Sequence, residues 1–138
     1  MLKADAADLL VSLSSLLPDI DKEVLSKNNE LGKYVVEGCK KALEINSDGW
    51  VDDDISFIRP WGFELSEINI PVLLYQGSED KMVPYTHGQW LSENLPQETV
   101  KMHFISGEGH ISILIREFHS MIDELIKTAK VVASRYDL

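Results

Sequence analysis

Pro71-Val72-Leu73-Leu74-Tyr75-Gln76-Gly77-Ser78-Glu79-Asp80 is the stretch on which the reading of the fold turns. Its apolar run, Val72 to Tyr75, is short, continuous and set between a proline and a glycine. That is the look of a strand buried on both faces. Toward the C-terminus, Pro84 stands where a helix can begin, the pattern reaches about Leu95, and Pro96 stops it. A second strand is expected at Val100 to Ile105. Gly107-Glu108-Gly109-His110 follows as a turn, made permissive by its glycines. A last helix carries Phe118, Met121, Ile122, Leu125, Ile126, Ala129 and Val132 on one apolar face. Strand, helix, strand, helix is a βαβ unit with a parallel pair, and its connection is long enough for the crossover. The fold class is α/β.

Toward the N-terminus the pattern is helical. Ala6, Leu9, Leu10, Leu13, Leu16 and Leu17 form one apolar stripe that Pro18 ends. A second helix is expected from about Glu30 to Leu43, with Leu31, Tyr34, Val35, Gly38, Cys39, Ala42 and Leu43 on one face. Asn28 or Asn29 is placed to cap it. Asp48 to Ile55 reads as a short helix closed by Pro60, its acids favoured by the helix dipole. Residues 1–65 thus form a helical segment, and residues 66–138 the βαβα part, with two parallel strands.

Of 138 residues, 44% are hydrophobic and 26% charged, as in a soluble globular protein. The net charge of −10 argues against nucleic acid and anionic membranes, both of which select positive surfaces. A single cysteine, Cys39, makes no internal disulfide and reads as a buried thiol. No apolar run approaches the ~20 residues of a membrane helix, and the start of the chain lacks a signal-peptide core. These features favour the cytoplasm.

Two loops leave the C-terminal ends of the expected strands, where functional groups gather in open α/β sheets. One presents Asp80, the other His110, 30 residues later. A carboxylate on imidazole Nδ1 fixes the tautomer and leaves Nε2 to act as a base. Glu79 and Glu108 read as solvated loop acids. The histidines 87, 103 and 119 have no ligand spacing, and Asp52-Asp53-Asp54 lacks that of a calcium loop, so no metal is assigned. Trp50, Trp61 and Trp90 read as packing residues, with Trp61 also a candidate for lining a substrate pocket.

Gly-Ser-Glu-Asp-Lys-Met-Val-Pro after one apolar strand and Gly-Glu-Gly-His after the next resemble the C-terminal part of an α/β-hydrolase. Trp61-Gly62-Phe63-Glu64-Leu65, leading to Ile70-Pro71-Val72-Leu73-Leu74, is similar to the entry into the penultimate strand of esterase- and peptidase-like members. Gly49-Trp50-Val51-Asp52-Asp53-Asp54 resembles the end of such a family's helical cap. The resemblance implies a partial α/β-hydrolase fold, with a helical cap-like N-terminal half and Asp80 and His110 as triad acid and base. It implies no cofactor, and a small acyl substrate once the fold is completed. The nucleophile elbow Gly-x-Ser-x-Gly is absent, and so are the oxyanion-hole segment and the earlier strands. A C-terminal portion, inactive alone, is therefore expected. The alternative is a free-standing, catalytically dead binding module that uses an exposed sheet edge. That edge also predicts a homo-oligomer.

Overall fold

The computed structural model describes residues 14–135. In chain order the elements are α1 (Asp19–Lys27), α2 (Asn29–Ala42), α3 (Asp48–Phe57), β1 (Val72–Gly77), α4 (Tyr85–Asn94), β2 (Val100–Ile105) and α5 (His110–Arg135). Short 3₁₀ turns cover Ser14–Leu16 and Leu65–Glu67. β1 and β2 pair in parallel, in register from Val72↔Val100 to Gly77↔Ile105. Both strands therefore end at one rim. α4 is the crossover between them.

Side chains alternate across the pair. Gln76 points at α4, where a Cβ on Gly88 would lie 2.8 Å from its amide oxygen, so the helix packs backbone-close. Tyr75 points the other way, to Glu124 of α5. The sheet thus lies between α4 and α5. α1 packs against α5 and α2, and Leu17, Val24, Val36 and Ile113 are buried. α2 begins where Asn28 Oδ1 accepts from Leu31 N–H at 3.0 Å, satisfying one donor of the first turn. Lys40 and Lys41 close it with charges that suit its C-terminal end. No helix among the described residues is long and apolar enough to cross a membrane.

Several expectations change here. The stripe from Ala6 to Leu13 lies outside the described residues. The described end of that stripe, the 3₁₀ turn at Ser14–Leu16, stops before Pro18, and beyond the proline begins α1, which the sequence reading missed. Its apolar residues Ile20, Val24 and Leu25 do fall at helical spacing, but they are few in a short, charged stretch. In α3 only Asp48 lies in the first turn, so the dipole argument does not reach Asp52, Asp53 and Asp54. Cys39 is half-buried, not buried. β1 is half-buried over Val72 to Tyr75, because among the described residues the sheet has two strands and each keeps one unpaired edge. The turn expected at His110 is the start of α5. Most of the apolar face of that helix looks outward, with Phe118, Ile122, Leu125 and Ile126 exposed, while Met121 and Val132 are half-buried.

What α5 turns toward the sheet is polar. Tyr75 and His103, register partners, stack with ring centroids 4.3 Å apart. Glu124 reaches across both. Its Oε2 accepts from Tyr75 Oη at 2.5 Å, and its Oε1 pairs with Lys101 Nζ at 2.5 Å. His103 Nε2 lies 2.8 Å from the same Oε2 but out of line, so that buried nitrogen has no hydrogen-bond partner. The bonds from Lys101 and Tyr75 hold Glu124 down to about 2. Burial, then the bond to Glu124, push Tyr75 up to about 12.

These shifts fix a sign. A carboxylate with a depressed folded pKa stabilises fully above its unfolded value, and that contribution fades as pH falls toward the folded one. Urea unfolding from pH 6 to 2 should show stability falling between about 4.5 and about 2 through Glu124. Glu124→Gln should flatten that slope; matching slopes in variant and wild type would show that the network does not form.

Candidate functional site

The rim at the ends of β1 and β2 is stitched together by backbone. Ser78 N donates to Ile105 O at 3.0 Å, and Glu79 N to Glu108 O at 2.9 Å. Gly107 N donates to Ser78 Oγ at 2.9 Å, with Gly107 at φ +80°, a left-handed turn suited to glycine. The approach is close enough that a Cβ on Gly77 would sit 2.3 Å from the carbonyl oxygen of Glu108. Only glycine fits there.

Asp80 is held by its own loop. Oδ1 accepts from Met82 N at 2.9 Å and Val83 N at 2.8 Å, an Asx-type turn that satisfies two loop donors. Gln76, buried under α4, donates through Nε2 to Val83 O at 3.0 Å and reaches Asp80 Oδ2 at 3.5 Å. Oδ2 faces His110, whose Nδ1 lies 2.9 Å away. The Nδ1–H tautomer donates to the carboxylate in this geometry. The Asp80 side chain is 6% exposed and that of His110 43%. His110 Nε2 makes no hydrogen bond with any described residue and stands open at the rim.

The structure thus brings Asp80 and His110 together. Trp61 is elsewhere: its ring, in an exposed residue, stacks on Phe63 at 5.9 Å and meets the edge of Trp90 on α4 at 6.3 Å. The serines near the pair have other roles. Ser78 Oγ is taken by Gly107 N, and Ser112, wholly buried, accepts from Gly109 N at 2.7 Å. Glu108 is not solvated but buried, with Oε1 on Arg116 at 3.1 Å and Oε2 without a hydrogen-bond partner. Sequence reasoning missed Gln76 and Asp21. The buried carboxylate of Asp21 accepts from the backbone of His110, Ile111 and Ser112. A lone aspartate in a polar stretch gave no local signal for that contact.

Comparison with protein-family models, curated proteins and solved structures returned no match to this chain.

An aspartate with one oxygen on backbone donors and the other on imidazole selects one tautomer. In Asp80→Asn the amide keeps an oxygen for Met82 and Val83 and turns its NH₂ toward His110. The ring should then switch to accepting at Nδ1, with its proton on Nε2. Long-range ¹H–¹⁵N NMR of the imidazole checks this; an unchanged His110 tautomer would mean that the two side chains are not paired in solution.

Proposed function

We propose that the chain is the C-terminal portion of a serine-type α/β-hydrolase of esterase or peptidase type. On this reading it holds the acid and base of a triad but no nucleophile. The observation that carries the proposal is the Asp80 carboxylate 2.9 Å from His110 Nδ1, at the ends of two adjacent parallel strands, with Nε2 open. In a completed site a serine would attack an acyl carbonyl while His110 Nε2 takes its proton and returns it to the leaving group. Asp80 would hold the ring and stabilise the imidazolium. The helices of residues 1–65 would form the cap, a small acyl compound would be the substrate, and no cofactor would take part. The acidic charge and the single cysteine favour a cytoplasmic protein that avoids nucleic acid and membranes.

Alone, the chain should be inactive. Oxyanion-hole donors and the nucleophile supply most transition-state stabilisation, and neither is recognisable in this sequence. A fluorophosphonate probe should label no serine of the purified chain, and ester and amide hydrolysis should stay at background. A labelled peptide mapped to one of its serines would overturn this.

A second reading, a catalytically dead binding module, is favoured by a different observation. The outer face of α5 exposes Leu114, Phe118 and Leu125, the last at 54%, beside a sheet with free edges. Apolar surface of that kind is normally covered. Self-association, as a homo-oligomer, follows on either reading. Light scattering at micromolar concentration should give a mass above the monomer's 15.6 kDa; a monomer with a cooperative melt would argue that neither the edge nor the helix face needs a partner.

A further inference from the structure

His110 is the first residue of α5, so whatever fixes the opening turn of that helix fixes the imidazole. A helix start leaves N–H groups with no partner inside the helix. The residue just before it usually supplies an accepting side chain. Here that residue is Gly109, which has none. The acceptor comes instead from α1. Asp21, 0% exposed, accepts from His110 N at 2.9 Å through Oδ2, and from Ile111 N at 3.2 Å and Ser112 N at 2.8 Å through Oδ1. Ser112 completes the arrangement by accepting from Gly109 N. This is a capping box whose accepting side chain is borrowed from another part of the chain. It also explains Gly109, since a Cβ there would sit 2.5 Å from Asp21 Oδ1.

We propose that Asp21 is a positioning residue for the Asp80–His110 pair. It holds the first turn of α5, and through it the His110 ring, in register with Asp80. The proposal rests on reading those two side chains as an acid–base pair. Asp80 hangs from β1 and its own loop, which is stitched to Gly107 and Glu108, but the amide donors of the first turn of α5 are held by Asp21. The ring's backbone is set by Asp21, with one oxygen on the His110 amide itself. A carboxylate suits this place for two reasons. Acceptors are needed on both oxygens, and the partial positive charge of the helix start compensates the buried negative charge. Asparagine has one oxygen and would turn N–H against N–H at one of the two positions.

The test uses the full chain, with two NMR readouts: the His110 tautomer by long-range ¹H–¹⁵N correlation, and amide exchange at His110, Ile111 and Ser112. In Asp21→Asn the three amides should exchange at least about tenfold faster. The His110 ring should lose its single Nδ1–H signature and average between tautomers, while His103, on β2 in the network with Glu124, keeps its signals. Asp21→Ser, which removes the buried charge and both reaching oxygens without placing N–H against N–H, is the second variant should the amide prevent folding, and its His110 ring should average likewise. A loss of amide protection with the His110 tautomer intact would overturn the proposal, reducing Asp21 to a structural cap. A wild-type ring without the Nδ1–H signature would instead defeat the acid–base reading, so the two failures are distinguishable.

Discussion

The carboxylate of Asp21 is where the helical and the βαβα parts of the chain become one structure. Burying an ionised carboxylate costs several kcal/mol or more unless its oxygens are fully hydrogen-bonded. Three backbone donors at the start of α5 meet that demand, and the same contact gives those donors acceptors that Gly109 cannot offer. Each side would be unsatisfied without the other. The orientation of α1 against α5 follows from this mutual requirement more than from apolar burial, because Val24 is the only buried apolar side chain of α1.

From that fixed point the rim follows. Parallel pairing brings the ends of β1 and β2 to one side, and tight glycine contacts let the two loops touch. Asp80 divides its oxygens between its own loop and His110, so the acid is rigid before the imidazole reaches it. Gln76 supports it from below, under Gly88. The pair is therefore preorganised by two independent anchors, one on each partner. Preorganisation of this kind is what acid–base chemistry requires, whatever group is presented to Nε2.

The parts that could be read from the sequence were those with local causes. β2 falls on Val100–Ile105 as expected, β1 extends two residues beyond its apolar core, and α4 sits between Pro84 and Pro96. Asn28 declares α2 because it lies one turn before the amide it caps. Asp80 and His110 were legible because strand ends and loop lengths bring them together. Asp21 was not, since its partners lie 89 to 91 residues away and nothing in Asp-Ile-Asp-Lys distinguishes it from Asp19. Glu108 was misread for a similar reason. A loop glutamate is usually solvated, and only the contact with Arg116, nearly two helical turns into α5, reveals that this one is not.

The last helix is the clearest case of period without placement. Its apolar spacing was read correctly, yet Glu117, Glu124 and Thr128 share the inward positions with Ile113, Met121 and Val132, while most of the apolar face looks out. Tyr75, His103 and Lys101 explain why the polar face is tolerated: each meets Glu124, so the sheet surface beneath α5 is itself polar. A helix with one face on the sheet and the other largely apolar and exposed lacks a covering layer on its outer side. The free edge of β1 carries the same mark, since its half-buried apolar residues suit an inner strand. Both surfaces belong to the βαβα part; the helical segment pairs charges along α2, as Glu30–Lys33 and Glu37–Lys40, yet it too exposes apolar side chains, Tyr34, Ile45, Phe57 and Ile58 among them. A demand for cover thus arises in both parts, and within the βαβα part it lies in the sheet and in α5. Under the hydrolase reading, that is where the remaining strands of the core would join.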